Sequence, residues 1–338
     1  MPILKEQVIN YILKLIHAKD KKILSKTLEA FDGEVSKSTV YNYLNELCKK
    51  DIIRKEGSSY FLASTEYVFC YDNTNLGEDR VFSRDIEPLF KTFPKNVLSA
   101  WRYAFTEMMN NAIEHSGASK ISVTVRVNAL EATVYVSDNG IGIFKNIQEY
   151  VSKENGQDLT LEECASLLFA GKFTTAKSMH SGEGIFFTSH LMDKFVIFSD
   201  SIVFSRDNFS DSDPTYTKLE KGTLVVMSLN NQSKKTTREV FDRFSNVDDG
   251  FIKTQIPIAH IFSGAGPISR SEARRLGELI VKFKEVDLDF AKVDEVGQAF
   301  AHELFIVWQG RNPDIVLNVL NANDDVDFMI KRVKNTKS

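Results

Sequence analysis

Between Glu107 and Thr223 the chain sets two Gly-x-Gly pairs among alternating helix and strand signals, and this order restricts the fold more than any other feature. Val97, Leu98, Trp101, Ala104, Phe105, Met108, Ala112 and Ile113 recur at helical spacing. Glu107, Asn111 and Glu114 lie off that stripe, and at 100° per residue the latter two fall about 40° and about −20° from Glu107, on one helix edge. A carboxylate one turn before a carboxamide can take a proton from water, while the amide oxygen can ligate a hard cation such as Mg²⁺. An alternating strand, 121–127, leads to a second, 133–137, that ends in Asp138, Asn139, Gly140, Ile141 and Gly142. A carboxylate at a strand end can accept a hydrogen bond from an exocyclic amine, and glycines after it let the backbone approach a flat ligand. Gly182, Glu183 and Gly184 open a helix over 185–192, where free N–H groups suit phosphate oxygens. Lys221, Gly222 and Thr223 begin a further strand.

The surroundings are those of an ordinary globular chain. Its 338 residues, 43% hydrophobic and 26% charged, suit two or three domains with real cores. A formal net charge of −4 excludes a purely electrostatic nucleic-acid binder, and 25 Phe against 7 Pro exclude a disordered chain. Cys48, Cys70 and Cys164 stand far apart, which argues against structural zinc and suits a reducing cytosol. No apolar run approaches a membrane span and the first residues lack a signal-peptide pattern, so a cytoplasmic protein is expected.

Charge is unevenly spread. Residues 1–65 carry 11 Lys and Arg against 8 Asp and Glu, while the rest carries 31 against 38. The basic head reads as three helices and a hairpin, and it resembles the winged helix-turn-helix superfamily. Lys37, Ser38, Thr39, Tyr41 and Asn42 would then face a DNA major groove, with Arg54 and Lys55 on phosphates. The same small fold also serves protein contacts. A homodimer would suit paired DNA half-sites. Residues 66–94 read as a linker and entry segment, and 205–221 as a long exposed hairpin loop.

In their order and spacing, the central motifs resemble the ATP-binding domain shared by gyrase, MutL, heat-shock chaperone ATPases and histidine kinases, the GHKL superfamily. Glu107 to Ala112 matches its asparagine box, Asp138 to Gly142 its first glycine box and Gly182 to Gly184 its second. The resemblance implies an α/β sandwich with a mixed sheet over 95–245, not a P-loop domain. It implies that Asp138 binds the adenine amino group with Thr223 assisting through water. Asn111 would ligate Mg²⁺ between the phosphates, and Gly140, Gly142, Gly182, Glu183 and Gly184 would line ATP. Residues 144–181 would be a mobile lid whose Lys172, Thr174, Thr175 or Lys177 reaches the terminal phosphates. Glu107 would be the general base.

The resemblance leaves the reaction open. His17, the sole His upstream, lacks the surroundings of a histidine-kinase phosphoacceptor. Anti-sigma serine kinases, whose partner is a STAS domain, are closer. Residues 250–335 alternate strand and helix as a small α/β domain. The stretches 268–276 and 293–300 resemble a STAS-like domain of unknown function. A STAS phosphoacceptor would fall near 294–298, which holds no Ser or Thr; Ser269 and Ser271 look like helix caps. Arg270, Arg274 and Arg275 read as an exposed basic face or an anion site. The tail is expected to dock on the ATPase in cis or to meet a protein partner. The reading is a multi-domain α/β regulator whose slow Mg-dependent ATPase switches binding by the head. Its alternatives are a protein serine kinase and a nucleotide-sensing module without turnover.

Overall fold

The computed structural model describes residues 2–156, 158–172, 182–205, 219, 221–246, 248–262 and 266–335. The head comprises α1 (Pro2–His17), α2 (Ile23–Ala30), α3 (Lys37–Lys49) and an antiparallel hairpin of β1 (Ile53–Glu56) and β2 (Ser59–Leu62). Val8, Ile12, Ile16, Val40, Leu44 and Leu47 recur at helical spacing and close a small core with Ile53. Ser36 caps α3, its hydroxyl accepting from the Thr39 N–H at 3.2 Å.

The centre is a six-stranded sheet in the order β3-β4-β5-β8-β6-β7. The strands are β3 (Ser64–Asp72), β4 (Lys120–Asn128), β5 (Glu131–Asp138), β6 (Lys194–Ser199), β7 (Ile202–Ser205) and β8 (Thr223–Asn230). Every pairing among these strands is antiparallel. The sheet therefore departs from the mixed one expected: β4–β5 and β6–β7 are hairpins, and β8 runs against both of its neighbours. One face packs on α4 (Lys95–Asn110), α5 (Ile143–Asn155) and α6 (Leu161–Ala170) around Trp101, Phe105, Val123, Val134 and Phe144.

Residues 66–94 are not the linker that their sequence suggested. Strand β3 pairs with β4 along its whole length and forms an edge of the sheet. Phe69 and Tyr71 alternate onto the packed face, while Glu66 takes a hydrogen bond from Arg126 Nε at 3.1 Å. The Asp-, Asn- and Gly-rich run after Asp72 ends that strand, and short helical turns at 78–90 bury Phe82, Ile86 and Phe90 in the same core. The expected loop over 205–221 falls almost wholly outside the described residues.

The tail is a parallel three-stranded sheet of β9 (Lys253–Pro257), β10 (Glu285–Asp289) and β11 (Val316–Leu320). It follows α8 (Thr237–Phe244) and carries α9 (Arg270–Ile280), α10 (Gln298–His302), a π turn at Glu303–Trp308, and α11 (Asp324–Asn335). Parallel strands need crossover helices, which is why strand and helix alternate here. Among the described residues no helix is long and apolar enough to cross a membrane.

Candidate functional site

The motif residues converge on a cavity of about 300 Å³ between α4, α5, α6, the start of α7 (Gly184–Leu191) and the sheet. Glu107, Asn111, Asp138, Gly182, Glu183, Gly184 and Thr223 all line it. Helix α4 runs into a π turn, Asn111–His115, that directs Asn111 and His115 to the cavity wall.

Asp138, at the end of β5, is 8% exposed. Its Oδ1 accepts the Gly140 N–H at 2.8 Å, and Thr223 adds backbone and hydroxyl bonds. Burial raises its carboxyl above the ordinary value, and those bonds only partly oppose the rise. The Thr223 hydroxyl also accepts the Ile143 N–H at 3.0 Å, so one residue joins the carboxylate to the start of α5.

Backbone approach requires glycine at 140 and at 222, where a Cβ would overlap the Asp138 carbonyl, while at 184 it would press on a movable side chain. A Cβ on Gly140 would overlap the Ser116 carbonyl, and one on Gly184 would overlap the Glu107 carboxylate. Gly184 thereby sets the second glycine box directly against the candidate base. Gly140 and Gly142 flank the cavity rather than line it. Thr174, Thr175 and Lys177 lie outside the described residues.

Lys172 is placed elsewhere. Its Nζ sits 4.8 Å from the Phe283 ring centre and 5.4 Å from that of Phe251, and it donates to the Lys282 carbonyl at 3.3 Å. Gly171 before it has φ +73°, and a Cβ there would come within 2.7 Å of Phe251. Lys172 therefore lies against the tail, not in the cavity.

Sequence reasoning missed Asn146, Ile143, Ile147 and Leu168, which supply the lid-side wall. Asn146 donates to the His115 carbonyl at 2.7 Å and ties α5 to the π turn.

The head residues Lys37, Ser38, Tyr41 and Asn42 are exposed on α3, Thr39 is half-buried, and Arg54 and Lys55 are exposed on β1. Ser38 and Thr39 hydroxyls are engaged with Ser36, at 2.7 and 2.8 Å. Arg54 pairs with Glu56 at 3.4 Å. In the tail, Ser269 caps α9 by accepting from Glu272 N–H at 3.2 Å. Arg274 pairs with the buried Glu303 at 2.8 Å and Arg275 pairs with Glu163, which leaves no triple-arginine anion site.

A family model described as histidine kinase-, DNA gyrase B-, and HSP90-like ATPase matches residues 97–233. The centre of the chain is a GHKL-type domain. A second model, described as a STAS-like domain of unknown function, matches residues 272–327. None of the curated proteins matches the chain. The GHKL match supports ATP binding, and the site accommodates it: a buried acceptor at a strand end, a backbone cradle that side chains would fill, and a helix start at Gly184.

Proposed function

We propose that this chain is an ATP-dependent regulator in which the GHKL domain binds Mg-ATP, hydrolyses it slowly and passes its nucleotide state to the STAS-like tail. The observation that carries this reading is the placement of α6 and α7. Leu168 and Gly184 line the nucleotide cavity, while Ala170, Phe186 and Phe187 on the same two helices belong to the tail's core.

Asp138 would accept the adenine amine, with Thr223 fixing its orientation. Asn111 would ligate Mg²⁺ together with the phosphates; among the described residues no group of three His, Cys, Asp or Glu could hold a metal alone. Bound Mg²⁺ would offset phosphate charge. Glu107, held against Gly184, would orient and deprotonate the attacking water. The head would contact DNA through the exposed face of α3, with Lys37, Tyr41 and Asn42 in the groove and Lys55 on the backbone. Serine transfer ranks behind hydrolysis because Ser269 is engaged as a helix cap.

The test is gamma-labelled ATP with Mg²⁺, resolved into free phosphate and protein-bound label, beside Glu107→Ala. Free phosphate that falls at least about 100-fold in the variant is the expected result, within the range typical of a general base. Label on the protein would replace hydrolysis with kinase activity.

A further inference from the structure

The two edges of the central sheet differ. Strand β7 is four residues long, whereas β3 runs for nine and, among the described residues, pairs with β4 alone. Just past β3, the Asn73 N–H donates to the Ser119 carbonyl at 2.9 Å. Antiparallel bonding alternates from there, so Thr65, Tyr67, Phe69 and Tyr71 bond to β4, while Glu66, Val68 and Cys70 turn their N–H and C=O groups outward. Such an edge invites another strand, and proteins commonly guard it with Lys, Pro, a bulge or a short strand. None of these guards is present: Ser64–Asp72 contains no Lys, Arg or Pro, and its nine residues pair with β4 without a bulge. Its two carboxylates, Glu66 and Asp72, are paired within the chain, with Arg126 and Lys120. Val68, at the middle, is 61% exposed.

We propose that β3 is a homodimer interface: a second copy adds its own β3, antiparallel, about a two-fold axis at Val68, and joins the two six-stranded sheets into one. The occupant follows from the strand's match to itself. With Val68 opposite Val68, all nine residues are in register, Glu66 faces Cys70, and Tyr67 faces Phe69 on either side of the axis. Aromatic pairs across strands are favourable, and like charges directly opposite are not. An axis at Glu66 would oppose two carboxylates, and one at Phe69 would set Glu66 opposite Asp72. Axes at Tyr67 or Cys70 would shorten the pairing. An unrelated strand would gain the main-chain bonds without these matched side chains.

The dimer also places the heads. Strand β3 starts two residues after β2 ends, so the two heads leave from opposite ends of the paired strands, about 27 Å apart at the usual strand rise. Paired DNA half-sites lie about 34 Å apart, a spacing that heads projecting beyond both ends suit. This link rests on the DNA-binding reading; the dimer itself does not.

The experiment is analytical ultracentrifugation of the full chain, without nucleotide or DNA, over a concentration series. A concentration-dependent monomer–dimer equilibrium is expected. Val68→Pro removes an outward N–H that β4 does not use, and Val68→Lys sets two ammonium groups face to face at the axis. Each should raise the dimer Kd at least about 10-fold, with circular dichroism unchanged. Disulfide trapping reads the register in a Cys48→Ser, Cys70→Ser background. There Val68→Cys should cross-link its two copies and Glu66→Cys should not, because the two Glu66 positions lie about 14 Å apart along the strands. A chain that stays monomeric throughout, a dimer that both Val68 variants leave intact, or trapping through Glu66→Cys rather than Val68→Cys would each overturn the proposal.

Discussion

The GHKL domain is joined at two places, and the joints differ in kind. Toward the head, Leu130 in the β4–β5 turn is, among the described residues, the one residue of the GHKL domain in the head's core, and His17 stands 3.8 Å from Glu131. Toward the tail, a stack of aromatic rings crosses the boundary. Phe186 meets Phe251 of the tail at 4.6 Å, and behind it Phe186 meets Phe244 at 4.9 Å and Phe187 lies parallel to Phe241 at 4.1 Å, with Phe241 and Phe244 both on the helix that precedes the tail. Both ends of the lid helix α6 are also fastened to the tail: Glu163 to Arg275 at its start, and the Ala170 carbonyl to the Thr254 hydroxyl at 2.7 Å at its end.

Position matters as much as area. Leu130 precedes β5 and Asp138 ends it, so the head joint lies about 25 Å from Asp138 at the usual strand rise. The tail joint begins two residues after Gly184. A change at the nucleotide site therefore meets the tail first, and an effect on the head must pass through the sheet or the tail.

The sharpest way to break this comparison is to weaken each joint in turn. Phe186→Ala removes a fully buried ring that serves the tail's core, and we expect a loss of about 3–5 kcal/mol of stability together with weakened ATP binding. Leu130→Ala should cost about 2–3 kcal/mol and leave ATP affinity unchanged. Paired denaturation and ATP titrations check both; an ATP defect in Leu130→Ala would contradict the asymmetry. Gly184→Ala sets a methyl against the movable end of Glu107, so it should cost about 1 kcal/mol or less in stability yet displace the carboxylate and lower phosphate release.

Asp138→Asn sharpens the contrast between function and stability. The Asp138 carboxyl is raised above 3.8 by burial, so its ionised form is a liability in the fold. That penalty is absent below pH 3.8 and grows as pH rises through the folded value, where the fold must hold the charge. The amide variant should therefore be no less stable at neutral pH, with a flatter stability profile across that window, yet should lose ATP binding. Melting curves against pH, set beside ATP titrations, test the two halves separately. Smallest of all, Arg275→Ala removes a half-exposed ion pair and should change stability by about 0–1 kcal/mol.

That Glu107, Asn111, Asp138 and Thr223 share one cavity was legible because their placement is largely local. Asp138 with Gly140, and Glu107 with Asn111, are fixed by positions within one strand end or one helix turn. Thr223 was placed by its glycine neighbour and the strand after it. What escaped depends on long-range pairing. Strand β3 looked like a linker because its alternation, Tyr67, Phe69, Tyr71, is short and borders a polar run; only β4 gives it a partner. Lys172 read as a phosphate ligand because the family resemblance implies a lid over the phosphates in that stretch. Its cage of Phe251 and Phe283 comes from residues far along the chain. The shared aromatic core was hidden for the same reason, since Phe186 and Phe187 are as compatible with an internal GHKL helix as with a domain boundary.

The most direct test of the central claim is hydrogen exchange of the full chain with and without a non-hydrolysable ATP analogue. Protection should rise in 161–170 and 184–191 and extend into 251–283, while 4–62 stays unchanged. Protection that reached the head and left 251–283 untouched would contradict the account.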